Sequence, residues 1–463
     1  MAFGPARKAL AAFLTAAAIA CGWLNQGPSS ARYDELLAQA RASKSLVLRA
    51  WLPFAFAYRR SADEELYFAI GSAIRGAPFD REILLSKRGD ASIAFRKLPP
   101  ADGRWHVPYA EVPFEYPAIV LPFILLPALA ATTFAQFAMW FGALMGGLLL
   151  ASTELAIRAL PDLRGAARAQ RWWLAGALFL AQGGLLIQRL DAVAAVFLAF
   201  WLWAAVRRRP FLMGLGIALA AAAKILPMLV LLPMMAADRD AWRSRRAIGS
   251  AAAGVALGLA AGFVPMLLLS PSGFADFVRY HAARGLHIES TYGTVISVVR
   301  FASGNPEPAT LSFGSFNLDD PAARLCASAA GYLLVAAIAA LTAWLARRPA
   351  PVTASARADA VARAGLLGLT CIWLFGKVFS PQYLTWGIPF AVGASSRRPA
   401  LALLLAMAIS QIYLRGFYDQ VVEMRALGVA ALGIRLAAIV AMAVLLGRAL
   451  SGGRDGTPSE PSS

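Results

Sequence analysis

The sequence predicts an all-α polytopic membrane protein. Of its 463 residues, 59% are hydrophobic and 15% are charged, whereas soluble domains contain about 45–50% apolar and about 25% charged residues. Apolar segments of about 17 to 25 residues, the length needed to cross a hydrocarbon core, recur from Leu10 to Leu450. We therefore expect one transmembrane domain over residues 1–450, and the composition excludes a soluble enzyme or binding domain.

Basic clusters in the short connections between these segments set the predicted orientation. The net charge of +18 is carried largely by arginines in these connections, which is typical of cytoplasmic loops and not of a nucleic-acid-binding surface. We expect about twelve transmembrane helices in the cytoplasmic (inner) membrane, with both termini cytoplasmic and no nucleic-acid partner. The clusters are residues 7–8, 158–171, 207–209, 239–246, 347–357, 397–398 and 448–454.

Two long loops are predicted on the extracytoplasmic side, at residues 24–115 and 270–325. All three histidines fall in these loops, and so do most of the acidic residues outside the basic clusters. If the two loops converge over the helices, they form a polar site at the membrane surface. A lipid-linked substrate could present its head group there.

Three further segments have distinct predicted positions. Residues 116–132 are short and contain three prolines, so we expect this segment to dip into the membrane or lie beside it, packed against protein. The aromatic and basic segment 45–58 is expected to lie flat on the outer leaflet. The Gly-, Ser- and Pro-rich tail 451–463 is expected to be disordered in the cytoplasm.

The first long loop contains an acidic helix start at Asp63, which is followed by Glu64 and Glu65 and by a stop at Gly76 and Pro78. A carboxylate at this place can act as a general base. Alternatively, Asp63 only caps the helix while the glutamates complement its positive end. Periodicity leaves both interpretations open.

The second long loop contains a run of side chains that can donate hydrogen bonds to a phosphate, from Tyr280 to Ser290. Arg284 can hold a phosphate with two parallel hydrogen bonds. The alternative is a solvated loop in which Arg284 pairs with Glu289 and the histidines are surface groups.

Two lysines interrupt apolar segments. Lys224 within a helix would cost ~2.5–3.5 kcal/mol on insertion, so a role at a site is the default interpretation. Alternatively, it marks a helix end broken at Pro227 and extends to the outer head groups. Lys377 precedes the break Ser380-Pro381-Gln382-Tyr383, which is either part of a site or a simple interfacial turn anchored by Tyr383.

Together these segments resemble the C-type membrane glycosyltransferases, specifically glycosyltransferase family eighty-seven, whose members include polyprenyl-phosphate-mannose-dependent mannosyltransferases of the bacterial envelope. The resemblance departs from the family pattern at Ala118 and at Gln188-Arg189-Leu190-Asp191. The segments that carry it are 63–67 with 76–79, 115–117, 224–227, 284–290 and 380–383.

The resemblance implies a bundle like that of other C-type enzymes, with juxtamembrane helices in the first loop and Asp63 as the catalytic base. It implies no cofactor, and the chemistry requires no metal. The donor phosphate would be bound by Arg284, His287, Lys377 and Lys224. The other implied substrate-binding residues are Tyr67, Glu115, Tyr116, Asp191, His281, Glu289, Gln382 and Tyr383.

The resulting hypothesis is an inverting transferase at the extracytoplasmic face. It would move a hexose, mannose in the best-known family cases, from a polyprenyl-phosphate sugar to a lipid or glycan acceptor of the cell envelope. A nucleotide-sugar donor fits poorly, because there is no glycine-rich phosphate-binding motif. The alternatives are a flippase or transporter for a lipid-linked saccharide, a ligase that transfers a preassembled glycan, and a structural subunit of an envelope complex.

Overall fold

The computed structural model describes residues 5–24, 61–86, 98–161 and 163–451. The predicted interfacial segment 45–58 and residues 452–463 of the predicted tail lie outside the described residues. The α-helices, numbered here in chain order, are α1 (Pro5–Leu24), α2 (Ala62–Ile74), α3 (Arg81–Ser86), α4 (Leu121–Leu129), α5 (Phe134–Ala159), α6 (Gly165–Gln182), α7 (Asp191–Val206), α8 (Pro210–Ala223), α9 (Leu231–Ala237), α10 (Arg245–Leu269), α11 (Pro271–Ala283), α12 (Thr291–Ala302), α13 (Pro321–Ala346), α14 (Ala354–Phe375), α15 (Ile388–Gly393), α16 (Arg398–Gly416), α17 (Tyr418–Val422) and α18 (Ala426–Ser451). Short 3₁₀ helices lie at Ala118–Val120, Gly183–Leu186, Leu226–Val230, Arg239–Trp242 and Pro381–Gly387.

In the described part of the chain the strands form one small antiparallel sheet in the second long loop, which was not predicted from the sequence, and the other elements are helices. Its strands are β1 (Leu286–His287), β2 (Thr310–Ser312) and β3 (Ser315–Leu318), in the order β1-β3-β2. The turn between β2 and β3 has positive φ at both central residues, Phe313 and Gly314, as tight hairpin turns require. Such short strands leave little alternating pattern in a sequence.

Six helices of the described chain are long and apolar enough to cross a membrane: α5, α10, α13, α14, α16 and α18. The protein is therefore a multi-pass membrane protein. Shorter apolar helical segments at Ala118–Leu129, Asp191–Val206, Pro210–Ala223 and Leu226–Ala237 accompany them, and the total of about twelve crossings stays a prediction. Helix α4 has nine residues and spans only about 13 Å, in keeping with a segment that dips into the membrane.

Helix α7 lies at the centre of the bundle. It contacts α5, α8, α14 and α15, and most of its residues are buried. It is apolar on all sides, as expected for a helix with no lipid-facing or water-facing stripe. Its first residue, Asp191, is thereby carried into the interior, with 1% of its surface exposed.

Two helix breaks interrupt the bundle at the two lysines that the sequence singles out, Lys224 and Lys377. Helix α8 ends at Ala223 because Lys224 has an extended backbone, and helical structure resumes at Leu226. After α14, residues 376–380 are not helical, and helical structure resumes with the 3₁₀ helix that begins at Pro381. Non-helical backbone within a membrane protein is tolerated where it is buried in protein or lines a cavity.

Close packing against α10 fixes the position of α8. Gly254, Gly258 and Gly262 repeat every fourth residue along α10 and face α8. A Cβ atom on Gly258 would lie 2.6 Å from Cβ of Ala218, and one on Gly262 would lie 2.4 Å from Cβ of Ala222. Small residues let the two backbones approach closely, as is common between membrane helices.

Enlarging this contact should destabilise the fold. We expect Gly258→Leu to lower the free energy of unfolding by about 1–3 kcal/mol, because the backbones cannot separate without losing their other contacts. Gly249→Leu on the same helix is the matched control, since a Cβ there meets open space. The measurement is thermal unfolding of the purified proteins in detergent; equal melting temperatures for the two variants would contradict the packing argument.

Candidate functional site

A cavity of about 900 Å³ lies where the second long loop meets the two helix breaks and the start of α2. Most of the predicted site residues line it, and Tyr67 and Asp191 lie behind its wall. Arg189, Phe277, Tyr280, Phe313, Trp386 and Tyr418 also line it and were not predicted as site residues. The predicted residues that line it are Asp63, Glu115, Tyr116, Lys224, His281, Arg284, His287, Glu289, Lys377, Gln382 and Tyr383.

Asp63 lies in the first turn of α2 at the edge of the cavity. The N-cap position is occupied by Ser61 and not by Asp63, so the capping interpretation does not describe this residue. Helix α2 ends as predicted before Gly76, whose φ of 63° and contact with the Arg104 backbone exclude a side chain. Asp63 is ion-paired with Arg189.

Lys224 points into the cavity from the first helix break. Its ammonium lies 4.8 Å from the ring centroid of Tyr116 and 5.6 Å from that of Tyr383. Nζ is 3.8 Å from Oδ2 of Asp191, whose Oδ1 accepts a hydrogen bond of 2.9 Å from Trp386 Nε1. Lys224 is therefore held between a carboxylate and two aromatic faces, which attract cations, and not among outer head groups.

Tyr67 and Asp191 act on the cavity through neighbours. The hydroxyl of Tyr67 lies 3.3 Å from that of Tyr116, and Tyr67 itself is buried. Asp191 reaches the cavity only through Lys224 and Trp386. The structure thus places both behind the residues they support.

Arg284 follows the end of α11 and presents its guanidinium to the cavity. Within the part of the chain that the structure describes, Arg284 forms no hydrogen bond or ion pair, and its Nε is buried without a partner. The pairing with Glu289 that the alternative interpretation required is not formed, because Glu289 is paired with Arg435 instead. A half-buried guanidinium without a partner is suited to an anionic ligand.

The two cavity histidines are held by backbone carbonyl groups. His281 Nε2 lies 3.3 Å from the Glu115 oxygen, and His287 Nδ1 lies 2.8 Å from the Phe379 oxygen. Burial lowers the pKa of His281, and burial together with nearby Arg284 lowers the pKa of His287 to about 3. Both side chains are therefore neutral at pH 7 and serve as hydrogen-bonding groups, not as cations.

Lys377 joins the second helix break to the second loop. Its ammonium donates a hydrogen bond of 2.9 Å to the Ala282 carbonyl in the last turn of α11, where a cation complements the helix dipole. Burial lowers the pKa of Lys377. In the same break, Gln382 accepts a hydrogen bond of 2.8 Å from Ser380, and the ring of Tyr383 stacks on that of Trp386.

The sequence analysis missed Arg435, which lies in α18 and is almost fully buried. It contacts Glu289 and Tyr413 beside the cavity wall. The sequence did indicate this residue, because an arginine inside a long apolar segment is by default a candidate for a functional site. Arg189 was noted only as a departure from the family pattern, and nothing in its neighbourhood indicated pairing with Asp63.

The arrangement combines a carboxylate with groups that bind anions. Asp63 can accept a proton from a hydroxyl group, and Arg284, Lys224 and the neutral histidines can stabilise a phosphate. Among the described residues, no three His, Cys, Asp or Glu side chains converge so that they could hold a metal ion.

The pKa of His287 makes stability depend on pH. The unfolded state binds a proton below about pH 6.5, whereas the folded state does so only near pH 3. The free energy of unfolding therefore falls as the pH decreases between these values. From pH 7 to pH 5 the parent should lose about 2 kcal/mol more than His287→Gln, whose amide can still donate to Phe379.

Thermal unfolding of both proteins in detergent across this pH range measures the effect. The other titratable groups are common to both proteins, so the difference reports on His287. Parallel profiles would mean that folded His287 takes up a proton, paired with Glu289, whose Oε2 lies 3.4 Å from Nε2.

Comparison with known proteins identifies the chain. The sequence model of glycosyltransferase family 87 matches residues 114–381, which is more than half of the 463 residues. The match includes both helix breaks and the second long loop, but not Asp63. No curated protein and no solved structure matches the chain. The chain therefore belongs to glycosyltransferase family 87, and the protein is a multi-pass membrane glycosyltransferase.

Proposed function

We propose that the protein is an inverting glycosyltransferase that uses a polyprenyl-phosphate sugar as donor. It transfers a hexose, with mannose as the first candidate, to a lipid or glycan acceptor of the cell envelope. The site faces the extracytoplasmic side of the cytoplasmic membrane, and both termini lie in the cytoplasm. The observation that carries the proposal is the guanidinium of Arg284, which lines the cavity without a partner among the described residues.

A lipid-linked donor is supported by the surroundings of the cavity. Ala330 and Leu334 of α13 form part of the wall, while other residues of the same helix, Tyr332 and Val335, are strongly exposed. Exposed apolar side chains on a membrane helix face lipid. A phosphate bound at Arg284 would thus lie next to a helix along which its polyprenyl chain can leave the cavity.

The reaction requires one base and a stabilised leaving group. The acceptor hydroxyl oxygen attacks the anomeric carbon, Asp63 takes the hydroxyl proton, and the bond from the anomeric carbon to the phosphate oxygen breaks with inversion. The leaving group departs as a polyprenyl phosphate anion, so a second carboxylic acid is not required. Arg284 and Lys224 supply positive charge, and His287 contributes to the polar wall around the phosphate.

Asp63 has to part from Arg189 when it takes the proton. We expect the acceptor to enter between them, since a hydroxyl group can donate a hydrogen bond to the carboxylate of Asp63 before it gives up its proton. Glu115, Gln382 and Tyr383 line the rest of the polar wall and are the proposed contacts of the sugar and acceptor hydroxyl groups.

A flippase for a lipid-linked saccharide is the second candidate. The specific observation in its favour is the pair of broken helices that meet at the cavity, an arrangement that transporters also use. A flippase would have no role for the carboxylate of Asp63. A ligase for a preassembled glycan shares this site and differs only in the size of the donor.

Substitution of the proposed base separates an enzyme from a flippase. We expect Asp63→Asn to lower the rate of transfer from radiolabelled polyprenyl phosphate mannose by at least about 10²-fold, because the amide cannot accept the proton. The assay uses purified protein in lipid with a lipid extract of the host as acceptor. Asp102→Asn is the control, since Asp102 lies in the first loop and, among the described residues, its carboxylate contacts its neighbours Arg104 and His106.

The outcomes of this assay are distinct. Transfer by the parent and by Asp102→Asn, but not by Asp63→Asn, supports the proposal. Full transfer by Asp63→Asn would exclude this residue as the base. Absence of transfer by the parent with every lipid-linked sugar offered would favour the flippase.

Substitution of Arg284 tests the donor site. We expect Arg284→Gln to lower kcat/KM for the donor about 10- to 100-fold, the effect of losing a hydrogen bond to a charged group worth about 1.5–3 kcal/mol. Arg279→Gln in α11, the helix that ends just before Arg284, is the matched control, because Arg279 is exposed and pairs with Asp276. Equal values for the two variants would contradict phosphate binding at Arg284.

A further inference from the structure

A buried charged cluster lies beside the cavity and has no role in the mechanism above. Its centre is Arg435, in the tenth position of the 26-residue apolar helix α18. The side chains of Arg435 and Glu289 are each only 2% exposed. A charged group inside a membrane helix is costly and is found paired or facing a cavity. The cost of burying this charged cluster therefore indicates a role for it at the cavity.

The contacts in this cluster converge on Glu289. Arg435 Nη2 donates to the Glu289 carbonyl, and Nη1 lies 3.5 Å from its carboxylate and donates to the Tyr413 hydroxyl at 2.5 Å. The hydroxyls of Tyr413 and Tyr418 donate to the two carboxylate oxygens. The guanidinium also lies 4.6 Å from the ring centroid of Phe379. Backbone and side chain of Glu289 are thus both held by α16, α17 and α18.

The same segment of the second loop is held from its other side by the second helix break. The His287 amide donates to the Lys377 carbonyl at 3.0 Å, and its Nδ1 lies 2.8 Å from the Phe379 carbonyl oxygen. Residues 284–289 therefore run between the helix break and α18. A displacement of Glu289 would be transmitted over two residues to His287 and over five to Arg284.

We propose that Arg435 and Glu289 are positioning residues that hold Arg284 and His287 at the place of the leaving phosphate. This inference rests on the proposed function, because it assigns the donor phosphate to Arg284. Stability alone does not require such a pair, since neutral replacements of similar volume are often tolerated when both charges are removed together. The contribution of the pair is the geometry of the donor site.

The test removes both charges at once. Arg435→Met leaves an unpaired carboxylate and is expected to fold poorly, whereas Arg435→Met with Glu289→Gln leaves no uncompensated charge. We expect the double variant to be recovered as folded protein with kcat/KM for polyprenyl phosphate mannose lowered about 10²-fold by misplacement of the donor. KM for the acceptor should remain that of the parent.

A matched control is an ion pair of α14 that contacts the opposite end of α18. Arg363 and Asp359 of α14 are 2.7 Å apart, and Arg363 donates to the Ala449 carbonyl of α18 at 2.8 Å. We expect Arg363→Met with Asp359→Asn to keep the donor and acceptor constants of the parent. Loss of donor affinity in this control would show that any loosening of α18 suffices.

Tyr413→Phe tests the same positioning role if the double variant does not fold. It removes one hydroxyl and keeps both charges, and we expect a donor-specific loss of roughly 10-fold, the effect of one hydrogen bond. An unchanged donor constant in an active, folded variant would overturn the positioning role.

The possible results separate this inference from the proposed function. A parent that transfers no lipid-linked sugar overturns the proposed function and the inference with it. An active parent beside a double variant with the parental donor constant overturns the inference alone. Equal losses for donor and acceptor would indicate a general structural defect and would also overturn it.

Discussion

Every charge that these helices carry into the protein has to be paired or has to face a cavity, because hydrocarbon solvates neither ions nor free backbone groups. Lys224 meets this requirement with Asp191 and two aromatic rings, and Arg435 meets it with Glu289. Both pairs lie at the same cavity. The requirement therefore places the non-helical backbone, the buried ions and the polar site in one region of the bundle.

The packing of the apolar helices determines where the paired charges lie. The glycines of α10 allow α8 to approach until backbone atoms nearly touch. This contact fixes the position of α8, whose last residue, Ala223, precedes Lys224. The central helix α7 holds Asp191 at its first residue, so the carboxylate that partners Lys224 comes from a largely buried helix at the centre of the bundle. Small residues that do not line the cavity thus position the helix that ends next to Lys224.

The sequence predicts the membrane class, the helix breaks and the charged and histidine residues of the cavity wall other than Arg189, because charges and prolines within apolar segments are rare and conspicuous. It does not predict partners that are distant in the chain. Glu289 was weighed as a partner of Arg284, five residues away, but it pairs with Arg435, 146 residues away. The sheet was missed because its strands have two to four residues, too few for a periodic pattern.

The charged groups of the cavity differ in whether an existing contact has to be broken before they can bind a ligand. Burial keeps His281 and His287 neutral at pH 7, and Lys377 already donates to a carbonyl. Lys224 is shared with Asp191, so Arg284 is the cation best able to bind a new anion without breaking an ion pair first. Asp63, in contrast, is paired with Arg189, and this ion pair would have to open for Asp63 to act as the proposed base. In the proposed mechanism an anionic donor would therefore bind to a preformed group, whereas proton transfer would depend on the entry of an acceptor, and this order would limit loss of the sugar to water.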